Sequence, residues 1–222
     1  MLIISGGMMN KETLERILET WDTMFPDAKC ELTHSNPLEL LIAVMLSAQT
    51  TDAAVNKVTP ALFEAYHSAK DYACADINDL QRYIKRIGLY RNKAKNIQAM
   101  CQVLINDYQG VVPSVMEELI DLPGVGRKTA NVVLADAFNI PGIAVDTHVT
   151  RIAKRLKFCY LKDNVGTIEK KLRKKIPQDR WIKSHHQMIF FGRYHCKAIN
   201  PHCYECPLID ICREKNKKLK RN

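Results

Sequence analysis

The sequence predicts an all-α fold with a small metal-bearing element near its C-terminal end. Three observations lead there. Apolar residues recur at helical spacing along most of the 222 residues. No run alternates apolar and polar residues in the way a half-buried strand requires. Four of the eight cysteines, Cys196, Cys203, Cys206 and Cys212, crowd into one short stretch near the end of the chain.

Taken in order, a first helix is expected over about residues 10–24. Asn36-Pro37-Leu38-Glu39 then supplies an N-cap, a proline at the first helical position and an acid at the third. Leu38, Leu41, Ile42, Met45 and Leu46 keep one face of that helix apolar. Further helices are expected at about 52–66, 77–86, 91–108, 114–120, 127–139, 147–157, 164–175 and 179–192. The short connections Gly88-Leu89-Tyr90 and Asn139-Ile140-Pro141-Gly142 imply a compact helical body. The longest apolar stretch, Leu40 to Ala48, is far below membrane-spanning length. No internal repeat is visible.

Charge is unevenly placed. Residues 151–222 carry 20 Lys and Arg against 6 Asp and Glu, whereas residues 1–150 carry 13 against 18. A basic final third on a mildly acidic body points to a polyanionic partner, nucleic acid before others. The end from Lys215 to Arg221 could alone be a solubilising tail, but the other basic residues are spread along expected helices and suggest a binding face. Cys30, Cys74, Cys101 and Cys159 are scattered singly and read as reduced and mostly buried, which places the chain in a reducing, intracellular compartment. Met1 to Gly7 is too short for a signal sequence, and Met8 or Met9 could serve as initiator.

The clustered cysteines follow the spacing C-x6-C-x2-C-x5-C. Four thiolates so close in sequence can wrap one inorganic centre, either a tetrahedral zinc or an iron–sulfur cluster. A zinc ribbon pairs two short CxxC knuckles across a longer spacer. Here there is one CxxC with outer cysteines at unequal distances, which favours a cluster. His185, His186, His195 and His202 lie near these ligands and read as surface or hydrogen-bonding residues.

The central motif is Leu122-Pro123-Gly124-Val125-Gly126-Arg127-Lys128-Thr129-Ala130, between two expected helices. Two glycines just before a helix start let backbone N–H groups point outwards together and hold a phosphate without any side chain. With Leu119 and Leu122 before it and Ala130, Val132 and Val133 after it, the string reads as a helix–hairpin–helix, which grips a DNA backbone irrespective of base sequence. Lys128 falls in the first turn of the following helix, where the dipole works against its charge and favours the neutral, nucleophilic amine. A solvated lysine on a phosphate is the plainer alternative. Asp146, in Ile143-Ala144-Val145-Asp146-Thr147-His148, is by itself a helix N-cap. Beside Lys128 it would be a carboxylate able to take a proton or stabilise a cationic sugar.

LPGVGRKTANVVL (122–134), VDTH (145–148), LLIAVMLSAQTTD (40–52), IGLY (87–90) and the cysteine-rich tail together resemble the endonuclease III family. These are bifunctional DNA glycosylases and abasic-site lyases of the helix–hairpin–helix superfamily. The resemblance runs from about residue 10 to 214.

The resemblance implies a six-helix barrel domain at about 30–140, with its helix–hairpin–helix at about 115–139. It implies a second, iron–sulfur cluster domain built from residues 1–29 and 141–222, with a 4Fe–4S cluster held by the cysteine loop 196–212. DNA would bind across the cleft between them, with the damaged nucleotide flipped out. Lys128 matches the family's catalytic lysine and Asp146 its assisting carboxylate. Gln49 and Leu89 match residues that fill the gap left by the flipped base or wedge the opposite strand, although alone they read as a polar helix end and a core leucine. Gly124, Val125, Gly126 and Arg127 match the backbone grip, and Arg193 and Lys197 are phosphate contacts by analogy. The implied partner is double-stranded DNA carrying oxidised or ring-saturated pyrimidines or abasic sites, bound by an intracellular monomer with no membrane. The adenine-removing branch carries a glutamate where this chain has Ala43 and lacks the lysine. Mismatch-thymine and pyrimidine-dimer glycosylases share the scaffold. A non-enzymatic iron–sulfur DNA-binding protein would have no need of Lys128 and Asp146.

Overall fold

The computed structural model describes residues 9–220, so the expectations for Met1–Gly7 and for an initiator at Met8 lie outside the described residues. The described chain is helical, with no strand. Its helices are α1 (Lys11–Met24), α2 (Pro37–Leu46), α3 (Asp52–Val55), α4 (Thr59–Ala65), α5 (Ala69–Cys74), α6 (Ile77–Ile84), α7 (Tyr90–Tyr108), α8 (Met116–Asp121), α9 (Arg127–Phe138), α10 (Thr147–Arg155), α11 (Val165–Lys175) and α12 (Trp181–Phe190). None of them is long and apolar enough to cross a membrane. The chain divides into two compact units, one from Cys30 to Ile140 and one joining the residues up to Lys29 with those from Pro141 onward.

The 30–140 unit is organised around α2. Asn36 caps it by accepting the Glu39 N–H at 3.0 Å, and Pro37 starts it. Every residue from Leu40 to Leu46 is buried, so α2 is the centre of the unit and not a helix with one apolar face, as the sequence had suggested. α7 and α9 pack on α2, α5 and α6 on α7, and α8 on α9. The helix expected over 52–66 is two helices. Asn56 interrupts it by donating to the Glu31 carbonyl (2.7 Å) and accepting the Thr33 N–H (3.0 Å), after which Pro60 restarts the helix at α4. α5 was not expected. Its signal was the capping box of Ser68 and Asp71, which satisfies two backbone donors of a six-residue helix too short for a periodic pattern.

In the other unit α12 packs against α1 and α10, and α11 against α10. Trp21 is fully buried, stacked on Phe158 at 6.0 Å and tilted against Phe191 at 6.4 Å. Ile17, Ile152, Ile168, Leu172, Met188 and Leu208 complete this core. The helix expected over 179–192 is three segments: a 3-10 turn at Gln178–Arg180, α12, and a π turn at Phe191–His195 that leads into Cys196. The π turn contains Gly192, where a Cβ would lie 3.0 Å from the Cβ of His148, so α10 approaches as closely as glycine permits. Two single cysteines depart from expectation, since Cys74 is exposed and Cys30 half-buried, whereas Cys101 and Cys159 are buried.

Candidate nucleic-acid interface and metal centre

The hairpin between α8 and α9 is built almost entirely from backbone. Leu122 and Val125 are buried anchors, joined by the Val125 N–H donating to the Leu122 carbonyl at 3.0 Å. Gly124 has φ +79°, and a Cβ there would stand 2.9 Å from the Cβ of Asn96 and 3.0 Å from the Met45 methyl. Both the conformation and the space exclude a side chain. Gly126 is the N-cap of α9 and offers no side-chain cap, so no side chain of the cap residue covers the first N–H groups of α9. Such groups, with the positive end of the helix dipole, are chemically suited to an anion. Arg127 and Lys128 are the first two residues of α9, and Lys128 is exposed.

Gln49 and Leu89 lie in the same unit and share an uncommon feature. Both are non-glycine residues in the left-handed region, with φ of 55° and 59°. Both are exposed, Leu89 at 56%, which removes the core alternative for it. Gln49 follows the C-terminus of α2 and Leu89 is the N-cap of α7. Lys93, which the sequence reading passed over, is 6% exposed. Its Nζ donates to the Leu46 carbonyl (2.8 Å) and to Thr50 Oγ1 (2.9 Å). Burial pushes the Lys93 pKa down.

Asp146 belongs to the other unit. It is half-buried and caps α10, one carboxylate oxygen accepting the Val149 N–H at 2.7 Å. One turn on, Arg151 binds the Gly192 carbonyl (2.7 Å), the Cys196 carbonyl (3.1 Å) and the His148 ring (3.2 Å). Burial lowers the His148 pKa, opposed by Asp146 and reinforced by Arg151.

Cys196, Cys203, Cys206 and Cys212 are all free thiols, Cys196 buried and the other three half-buried. Burial pushes Cys206 up to about 11, and charge on any of the other three would raise it further. One buried and three half-buried thiols, with Cys206 in electrostatic reach of the other three, are the donor set that a thiolate-bound metal centre uses, and a cation there would compensate their charge. Two donors already face the sulfurs: Arg155 Nη1 reaches Cys196 Sγ at 3.2 Å, and the Glu214 N–H reaches Cys212 Sγ at 3.4 Å. Burial works against the Arg155 charge, but Cys196 and Glu214 outweigh it and raise its pKa. Arg155 also holds the Lys197 carbonyl at 3.0 Å, fixing the start of the loop. Arg151 and Arg155 were missed in the sequence; their signal was two arginines four apart, on one face of the helix.

The histidines correct another expectation. His185, His186 and His195 are buried, which removes the surface half of the expectation and leaves the hydrogen-bonding half standing. His195, His202 and Glu205, each next to a cysteine of the loop, bring one potential ligand atom apiece within 4.8 Å of one another. Not all the basic final third is a binding face. Lys171 pairs with Asp163, Arg173 with Glu169, and Arg180 and Lys183 with Asp22. Arg193 and Lys197 are half-buried beside the cysteine loop.

Residues 42–178 match the HhH-GPD superfamily of base excision DNA repair proteins. The chain is 55% identical to endonuclease III of Bacillus subtilis (strain 168), covering 96% of this chain and 98% of that one. It is 44% identical to endonuclease III of Escherichia coli (strain K12), covering 94% and 99%. A solved structure of a trapped endonuclease III–DNA covalent intermediate, an estranged-adenine complex, superposes with a TM-score of 0.90 at 57% identity, covering 93% of this chain and 97% of that one.

Proposed function

We propose a mechanism from a plain premise: this chain belongs to the endonuclease III family of HhH-GPD base excision DNA repair proteins, and it is a DNA glycosylase and abasic-site lyase. The residue assignments that follow are the proposal. The observation that carries it is the exposed Lys128 at the open N-terminus of α9, directly after a side-chain-free hairpin.

A DNA phosphate docks on the N–H groups around Gly124, Val125, Gly126 and Arg127 and fixes the register of the duplex. The target nucleotide leaves the stack, with Gln49 and Leu89 occupying and wedging the gap. The Lys128 amine attacks C1′, the N-glycosidic bond breaks, and the base departs with the electron pair and is protonated. Asp146 stabilises the positive charge that develops on the sugar. The ring opens to a protonated Schiff base on Lys128. Loss of a C2′ proton then expels the 3′ phosphate by β-elimination, which cuts the strand. The substrates are duplexes with oxidised or ring-saturated pyrimidines such as thymine glycol, or abasic sites.

Cys196, Cys203, Cys206 and Cys212 would hold a 4Fe–4S cluster. Bound there, it would cross-link residues 196–212 and present Lys197 and Arg193 to the backbone, with no part in the bond changes. The protein acts as an intracellular monomer on chromosomal DNA.

Borohydride tests this reading, because it reduces a Schiff base to a stable amine. On a thymine glycol duplex the wild type should give a covalent protein–DNA adduct and Lys128→Ala none, with duplex binding retained. An adduct from Lys128→Ala would move the nucleophile elsewhere. Activity should persist in a chelator that leaves the cysteine-bound centre intact.

A further inference from the structure

The two residues assigned to the interior of the duplex, Gln49 and Leu89, are each held in a backbone conformation that costs about 1–2 kcal/mol. Such strain persists only where the surroundings over-determine it. Lys93 bonds to both loops. Gln49 sits between Leu46, which ends α2, and Thr50; Leu89 opens α7. Lys93 reaches all three neighbours. Its own N–H donates to the Leu89 carbonyl at 3.1 Å, while its ammonium takes the Leu46 carbonyl on one side of Gln49 and the Thr50 hydroxyl on the other.

The placement is expensive for stability alone. Lys93 is in the first turns of α7, where the dipole opposes a cation, and its ammonium is removed from water. The ammonium bonds to a carbonyl and a hydroxyl, not to a carboxylate. An apolar side chain of the same length would fill the space without that desolvation. What the ammonium adds is a two-point tie across the Gln49 loop, anchored to the Leu89 turn by the backbone of α7, with its charge at the negative end of the α2 dipole.

We propose that Lys93 is a positioning residue that locks the Gln49 loop and the Leu89 turn to each other, so that both enter the duplex in register. This rests on the assignment of Gln49 and Leu89 to the duplex interior. Lys93 touches neither the reacting atoms nor the DNA in this role. It acts through Gln49 and Leu89.

The test is a double-mutant cycle on the intact, metal-loaded protein. kcat/KM would be measured on a thymine glycol duplex and on a single-stranded abasic oligonucleotide, which has no stack to fill. Lys93→Met should keep the thermal midpoint and lose about tenfold on the duplex while leaving the single strand unchanged. In a Gln49→Ala background the same change should cost about twofold or less, because the two act as one unit. Lys93→Arg, which retains a cationic donor, should recover part of the loss. Thr50→Val removes one tie at a time and should reproduce the pattern more weakly, so it carries the test if Lys93→Met does not fold. Equal losses on duplex and single strand, or additive losses with Gln49→Ala, would overturn the proposal. If Gln49→Ala and Leu89→Ala are both silent on the duplex, the assignment beneath it fails instead.

Discussion

The hairpin of the 30–140 unit and the cysteine loop of the other unit, the two sites proposed to bind ligands, are made in opposite ways. The hairpin removes side chains: Gly124 and Gly126 expose backbone donors, and Leu122 to Gly126 contains no titratable group. The cysteine loop accumulates them: four thiols, with Arg151 and Arg155 bridging to backbone carbonyls and a sulfur. Backbone sites tolerate no added atoms but are indifferent to pH. Side-chain sites tolerate small changes in volume but depend on every charge having its partner. The contrast can be broken at three points.

The largest effect is expected at Gly124. Gly124→Ala meets Asn96 and Met45 and must adopt φ +79°, and together these should cost about 3 kcal/mol. At Gly126 nothing lies within 4 Å, and its φ of −102° suits any residue. Gly126→Ala should therefore cost less than about 1 kcal/mol of stability and weaken DNA binding instead. Urea unfolding of the two variants, with duplex affinity measured alongside, separates fold from grip. Equal destabilisation would mean that the second glycine is structural too.

Arg155→Met comes next. It keeps an apolar stem of similar length and removes a guanidinium whose side chain is 14% exposed. Glu214, the Cys196 sulfur and two carbonyls lose a donor together, at a cost of about 2 kcal/mol. The readout is the rate at which the cysteine-bound centre is lost to a chelator, which should rise, while hairpin affinity for an abasic duplex changes little. An unchanged rate would show that the loop does not depend on its donors.

The same contrast explains what was legible in the sequence. Backbone function leaves a residue-type signature, because only glycine fits where φ is positive and space is absent, and so Gly124 could be read directly. Clustered cysteines leave a spacing signature, and so the four proposed ligands stand out in the sequence as well. Supporting residues leave neither. Lys93 was one of two lysines in Tyr90-Arg91-Asn92-Lys93-Ala94-Lys95, although it lies on the stripe of Ala94, Ile97, Cys101 and Leu104 that α7 buries. A charged residue in register with an apolar stripe is the signal that could have found it. Helix boundaries failed where a side chain outside the helix intervened, as Asn56 does between α3 and α4. The basic final third was over-read, since α11 and α12 spend several of its charges on internal pairs.

The smallest effect tests the pH half of the contrast. Asp22 of α1 faces Arg180, Lys183 and Gln187 around the start of α12, the helix that runs on into Cys196. Burial disfavours its charge, but hydrogen bonds from Lys183, Gln187 and Arg180 outweigh that and hold the carboxyl at about 2, against 3.8 for the free side chain. A carboxyl depressed in the fold stabilises it fully above its unfolded value, and the contribution fades as pH falls from about 4 towards 2. With the side chain a third exposed, solvent screening leaves about 1 kcal/mol. Asp22→Asn should therefore lower the thermal midpoint at pH 6, and the gap from wild type should close as the pH is lowered through 3. Hydrogen exchange resolves the region: at pH 6 the variant should open amides of α1 and α12 faster and leave those of α9 unchanged. Faster exchange in α9 as well would join the backbone site to the side-chain site, and the two could no longer be treated as separately built.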